Sequence, residues 1–393
     1  MSPTSPIPVL AAVFLALFTV FLIKSQLSVN VKAGRYASID GLRGYLAFFV
    51  FLHHSSVWYF YIQTGHWERP DSGLYDYFGM GSVKIFFMVT GFLFFGKILD
   101  SRTNGVDWLR LYVSRFLRIA PLYLVAVAAV FAIVTFQTWG HLNQPVDSLV
   151  INGLKWLSLG AFEAPELNGV PAGMIVASVL WTLRYEWFFY LMLPIIAATV
   201  GVKSAGKYLF IALLGIIYFY ASGMLVSILI PFVTGILAAV LARNTLVQRV
   251  ATSPLMSPVI ILTLAIAVLK FPNPMGAAPI ILLSIAFVLI AAGNTLYGAF
   301  TSKLSCILGE ISFSIYLLHG IFLYVMFKLL IGQEQAKLLS PVQYWLVIAG
   351  ITPVLIVTCY FTYSRVEHPG VMLTTRWTKS IRSIMQTFSK KSA

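Results

Sequence analysis

Residues 38–62 read SIDGLRGYLAFFVFLHHSSVWYFYI, and this stretch decides what kind of protein the chain makes. It is an apolar run long enough to cross a bilayer as a helix, for which about 20 residues suffice. Yet it carries Asp40, Arg43, His53 and His54. An ionisable side chain inside a span costs about 2.5–3.5 kcal/mol on insertion scales, so such residues face a bundle interior and serve function there. Arg43 and His54 are separated by eleven steps of about 100°, three turns plus about 20°. They share one helix face, about 16 Å apart along the axis. His53 is rotated about 80° away and need not share that face.

The rest of the chain agrees. Its 393 residues are 59% hydrophobic and 10% charged, with a mean hydropathy of +0.87. A water-soluble domain carries about 25% charged residues, so soluble, disordered and disulfide-rich classes are excluded. Cys306 and Cys359 lie in apolar stretches and make no framework. Apolar segments recur at Val9–Ile23, Ile39–Ile62, Phe78–Leu99, Leu111–Phe136, Val176–Val200, Tyr208–Ala221, Met224–Leu241, Pro258–Leu269, Ala277–Ala292, Ile311–Leu330 and Tyr344–Tyr363. A weaker stretch, Leu149–Phe162, reads as interfacial or re-entrant. The expected fold is an all-α membrane bundle of about ten core helices plus one N-terminal crossing, with no metal site. Val9–Ile23 lacks a basic leader and a cleavage motif and is expected to be retained.

A net charge of +14 would suggest nucleic acid in a soluble protein. Here the cations fall in alternate connections instead: Lys24, Lys32 and Arg35, then Lys97 to Arg118, Lys203 and Lys207, Arg243 and Arg249, and Lys303. Arg365 to Lys391 close the chain. That pattern predicts eleven crossings and a cytoplasmic C-terminus, and no nucleic-acid partner. The expected divisions are 1–35 (crossing and linker), 36–370 (membrane domain) and 371–393 (basic tail).

Further charges lie deep. Arg184 and Glu186 are two apart and do not face each other, so Glu186 needs a partner on another helix, and its depth matches that of His54. Tyr190 lies one turn on, with Trp181 at the start of the segment. Arg115 and Arg118 share a face at the cytoplasmic mouth, where planar guanidiniums suit a ligand with several phosphates, with Tyr123 beyond them. On residue physics alone, His319 and Glu310 suit polar glue between helices. Lys84 is expected to snorkel. Gly79, Gly81 and Gly91 allow close helix packing.

Six motifs in order carry a resemblance. Asp40-Gly-Leu-Arg43-Gly44 with His54 resembles the Arg-x10-His signature of the acyltransferase-3 membrane O-acyltransferases, typified by bacterial O-antigen O-acetyltransferases. Phe86–Phe92 resembles the family's FFxxSGF, and Arg115–Pro121 its RxxR-I-x-P. Trp181–Tyr190 resembles its WSLxxExxFY, Ser312–His319 its SYxxYLxH, and Glu367-His-Pro369 its closing E-x-P. Thr90 and Thr182 stand where serine is usual, and Lys84 where an uncharged or acidic residue is expected.

The resemblance implies a one-domain, multi-pass enzyme of the bacterial inner membrane. It would transfer an acyl group, commonly acetyl from acetyl-CoA, to a hydroxyl of a cell-envelope carbohydrate or glycoside. Joined to the geometry, it makes His54 the general base or acyl carrier, suited by an ordinary imidazole pKa of about 6.5. Arg43 is the expected oxyanion partner. Glu186 balances His54 or pairs with Arg43, and Asp40 completes the catalytic set. Arg115, Arg118 and Tyr123 are the donor-binding candidates; Tyr190, Trp181, His319 and Ser314 are the acceptor-binding candidates. A proton-coupled transporter or flippase of a polysaccharide precursor is the competing class, with a non-catalytic membrane sensor third. Against transport stand the lack of an evident inverted repeat and the arginine pair at the mouth.

Overall fold

The computed structural model describes residues 2–24 and 36–391, so Lys32, Arg35 and the expected linker lie outside the described residues, as do the side chains of Lys390 and Lys391. The described backbone is helical, with one isolated bridge, Leu167–Val170. The helices follow the apolar segments: α1 (Ile7–Ile23), α2 (Ala37–Thr64), α3 (Gly73–Asp76) continuing through a π-turn into α4 (Ser82–Asp100), and α5 (Trp108–Gln137). Then come α6 (Val146–Leu157), α7 (Trp181–Thr199), α8 (Gly206–Ala221), α9 (Ile230–Leu241), α10 (Thr245–Ala251), α11 (Met256–Lys270), α12 (Ala277–Ala291) and α13 (Lys303–Glu310). The last are α14 (Ser312–Tyr324), α15 (Gln333–Lys337), α16 (Pro341–Thr362), α17 (His368–Met372) and α18 (Thr374–Lys391). Among the described residues four continuous helical runs are long and apolar enough to span a bilayer, and shorter apolar helices complete the bundle. The molecule is an all-α membrane bundle.

Local chemistry sets the ends. Gly65, at φ 79°, closes α2 by donating its N–H to the Tyr61 carbonyl, a left-handed turn that glycine adopts without strain. Asp107 caps α5 by accepting the Arg110 amide at 3.1 Å. Ser340 and Gln343 form a reciprocal capping box at α16, with Pro341 in its first turn.

Glycine sets the packing. A Cβ on Gly91 would lie 2.2 Å from the Phe232 carbonyl oxygen, and one on Gly235 2.1 Å from that of Met88, so α4 and α9 touch backbone to backbone. In the same way Gly309 of α13 meets the Asp40 carbonyl and Gly44 of α2 meets the Gly309 amide. Close approach of this kind gives membrane helices their dispersion contact, since lipid supplies no hydrophobic drive between them.

Two expectations are corrected. The segment expected as Val176–Val200 becomes helix only at Trp181. Before it, Ala172, Ile175 and Val176 are buried in a 3₁₀ turn, and Ala177 (φ 49°) and Ser178 (φ 55°) are left-handed. This irregular stretch packs on α14, where Gly320 leaves room for Val176. Non-helical backbone is tolerated at such depth because protein surrounds it. Lys84 does not snorkel: it is 6% exposed and donates to the Pro274 carbonyl, which gives the buried ammonium a partner inside the protein. Leu149–Phe162 becomes the short surface helix α6 followed by a turn.

Candidate active site

The face of α2 that carries Arg43 looks into a cavity of about 340 Å³ between α2, α4, α5, α7 and α14. Arg43, Arg115 and Arg118 line it together with Glu186, Tyr190 and Glu310. Three guanidiniums against two carboxylates give the hollow an excess of positive charge. The arginines are not equivalent. Arg43 Nη1 lies 3.8 Å from Asp40 one turn back. Arg118 Nη1 lies 3.7 Å from Oε2 of Glu367, a fully buried carboxylate whose Oε1 accepts a hydrogen bond from Ser314. Thr362 in turn donates to Ser314 at 3.1 Å. Arg115 has no carboxylate within 4 Å among the described residues; its guanidinium lies 5.1 Å from the Phe94 ring centroid. Arg115 is therefore the one of these three guanidiniums with no carboxylate to give up to an incoming anion, although it meets the Tyr190 hydroxyl.

Glu186 takes its hydrogen bond from Tyr190, on its own face of α7. The same helix turns Arg184 the other way, to Glu163 at 3.4 Å, as the two-residue offset requires. Tyr363 donates to Glu310 at 2.6 Å. Each carboxylate in the cavity wall thus has a phenol attached.

His54 lies about 16 Å along α2 from Arg43. Its partner is His319: His54 Nδ1 and His319 Nε2 are 3.1 Å apart. The hydrogen-bond pattern assigns the tautomers. His319 Nδ1 faces the Ile315 carbonyl at 2.9 Å, an acceptor, so it carries the proton and Nε2 is bare. His54 Nδ1 faces both that bare nitrogen and the Val50 carbonyl at 3.0 Å, so it is protonated too. His54 therefore presents an unprotonated Nε2, the form a base requires. His53 points elsewhere, to the Tyr75 carbonyl at 2.8 Å, where Gly79 leaves space for its ring.

His54 does not line the cavity. Tyr316 stands between them, lining the cavity with its ring 6.3 Å from that of His319 and 6.1 Å from that of Phe86. Its hydroxyl meets Thr182 at 2.8 Å and the Val179 carbonyl at 3.2 Å, just past the left-handed turn. On the far side the Trp67 ring lies 6.5 Å from that of His54, nearly parallel at 18°. Trp58 and Tyr61 set their edges against Trp67.

The structure thus brings Arg43, Arg115, Arg118, Glu186 and Tyr190 to one hollow and joins His54 to His319 beyond it. Asp40 and Ser314 support Arg43 and Glu367 from behind. Two candidates lie away from the hollow. Tyr123 is buried and donates to the Trp156 carbonyl at 2.8 Å, fastening α6. Trp181 packs on Phe87 and Tyr185. The expected partnership of Glu186 with His54 is not formed, because Glu186 faces the arginines while His54 faces α14. Glu367, Tyr316 and Trp67 were not singled out from sequence as site residues. The closing Glu-His-Pro motif marked Glu367, but its partner lies 249 residues away.

Residues 36–364 match the acyltransferase domain family. Nodulation protein 10 of Rhizobium leguminosarum bv. viciae is 27% identical over 176 residues, 42% of this chain and 45% of that protein, so the chain spans less than half the length of that relative. No solved structure matches.

Proposed function

We propose that this chain, which belongs to the acyltransferase-3 family and is a multi-pass membrane acyltransferase, moves an acetyl group from acetyl-CoA to a hydroxyl of a cell-envelope carbohydrate or glycoside. The observation that carries this reading is one face of α2 with a cation-lined hollow at Arg43 and, about 16 Å on, an imidazole whose Nε2 is free to take a proton.

The alternation of cations along the chain supports a cytoplasmic mouth for the hollow, the side on which a coenzyme A donor would be met. Arg115, with Arg43 and Arg118 beside it, holds donor phosphate, and the thioester points along α2 toward Tyr316. The acceptor enters from the other side of His54, against the face of Trp67, a flat apolar surface suited to a sugar ring. His54 Nε2 takes the hydroxyl proton as the oxygen attacks the thioester carbonyl. The C–S bond breaks, and the thiolate leaves with that proton as the coenzyme thiol. Arg43 sits too far along the axis to meet that carbonyl, so its part is phosphate binding. Donor and acceptor meet at Tyr316, whose hydroxyl bonds to Thr182 and Val179 hold it across the path.

The test uses the full chain in nanodiscs with labelled acetyl-CoA and cell-envelope glycans. His54→Ala is expected to lower transfer by about 10²–10⁴-fold while the protein stays folded. Trp67→Ala is expected to raise KM for acceptor and leave that for donor unchanged. Near-normal transfer by the His54 variant, or movement of glycan across the membrane without coenzyme release, refutes the reading.

A further inference from the structure

A second hollow, of about 630 Å³, lies at the same end of the bundle, between the start of α5, the connection before α8, and α18. Asp107, Trp108, Lys203, Lys207, Tyr208 and Arg382 line it. Arg382 is committed to Asp107 at 2.5 Å, which fastens α18 over the hollow. Lys203 and Lys207 are exposed, and neither has a carboxylate within 4 Å among the described residues. Trp108 is 4% exposed, yet its indole N–H has no acceptor among the described residues. A buried donor left without a partner needs an explanation, and a ligand acceptor supplies one. The Trp108 and Tyr208 rings are 6.2 Å apart, and the Lys207 ammonium is 5.2 Å from the Tyr208 ring centroid.

Flat aromatic faces, an unused indole donor and two ammoniums with no carboxylate partner among the described residues together recognise a heteroaromatic base carrying phosphate. One helix, α5, links this hollow to the cavity. Lys97, Leu111, Ser114 and Arg115 line a smaller hollow of about 180 Å³, which shares Leu93, Phe94 and Arg115 with the arginine cavity. Trp108, Leu111, Arg115 and Arg118 are spaced by three, four and three residues, so one stripe of α5 runs beneath all three hollows, over about 15 Å.

We propose that the second hollow holds the adenine and ribose 3′-phosphate of the coenzyme A donor, whose diphosphate reaches Arg115 along the α5 stripe and whose pantetheine arm continues from there into the cavity. The proposal rests on the acyl-CoA reading above and adds where the nucleotide end is read. A lipid phosphate would meet the same ammoniums but would not need the aromatic faces or the indole.

The experiment measures binding of CoA, 3′-dephospho-CoA and 4′-phosphopantetheine to the full chain in phosphatidylcholine nanodiscs, by microscale thermophoresis. Wild type is expected to prefer CoA over 3′-dephospho-CoA. Lys203→Gln with Lys207→Gln is expected to weaken CoA binding about tenfold, which is about 1.4 kcal/mol, and to leave 4′-phosphopantetheine binding unchanged. Trp108→Phe keeps an aromatic face of smaller area, removes the N–H, and is expected to weaken CoA in the same selective way. CoA binding unchanged in the double lysine variant, or equal affinity for CoA and 3′-dephospho-CoA, overturns the subsite alone. A lysine effect seen only on binding of added phosphatidylglycerol assigns the hollow to lipid and overturns it too. A wild-type chain that binds no CoA refutes the donor reading and the subsite with it.

Discussion

Replacing His319 by Ala removes a side chain that touches no reacting atom in the proposed chemistry, and it is nevertheless expected to slow transfer. The size of the effect follows from the 3.1 Å contact with His54. In the resting state His54 Nδ1–H is shared between His319 and the Val50 carbonyl, so the variant keeps its tautomer through Val50. Once Nε2 takes the acceptor proton, His54 is an imidazolium, and the bond to His319 becomes one with a charged donor. Such bonds contribute about 1.5–3 kcal/mol, and at 1.4 kcal/mol per tenfold the loss is about 10- to 150-fold in kcat. KM for either substrate is expected to stay near wild type. His319→Gln, whose amide oxygen can accept from Nδ1–H, should recover part of the rate. The assay is single-turnover transfer of labelled acetyl in nanodiscs, with thermal unfolding as the fold control. A loss equal to that of His54→Ala would make His319 part of the proton path. No loss in a folded variant would refute the argument.

Other perturbations probe the frame. Gly91→Val places side-chain atoms where the Phe232 carbonyl already lies 2.2 Å from a Cβ, and is expected to destabilise by at least about 1–3 kcal/mol, read as lowered thermal stability in detergent. Glu367→Gln leaves Arg118 without its counter-charge, and breaking such a buried pair costs about 3–5 kcal/mol; Arg118→Gln added to it should restore part of the stability in a double-mutant cycle. Burial pushes the Asp107 carboxyl up, but the bonds from Arg382 and the Arg110 amide outweigh it and hold the pKa below 3.8. A depressed carboxylate stabilises the fold above its unfolded pKa and loses that contribution as pH falls through the folded one. Docking of α18 should therefore be unchanged from neutral pH down to about pH 4 and loosen only below, as hydrogen exchange over residues 374–388 would report. Asp107→Asn should remove that step.

Helix positions were legible because membrane spans announce themselves by length: Phe78–Leu99 fell within the run Gly73–Asp100 and Leu111–Phe136 became Trp108–Gln137. The shared face of Arg43 and His54 followed from helical pitch alone. The break before Trp181 was hidden because Val176–Leu180 are as apolar as the helix after them, and periodicity cannot report a left-handed turn at Ala177. Partners were hidden for another reason. Which helix meets which is set by small contacts such as Gly309 against Asp40, so the choice of His319 for His54, and of Glu367 for Arg118, is a property of the assembled bundle.

Those glycine contacts bear on how the protein can change over evolutionary time. With the main chain of α2 seated directly on that of α13, the rod bearing Arg43 and His54 has no slack to piston or swivel, and adding even a methyl group there forces the two apart. New acceptor preferences must then arise at the rim, around Trp67 and the connections near it, while the scaffold beneath is held to one solution.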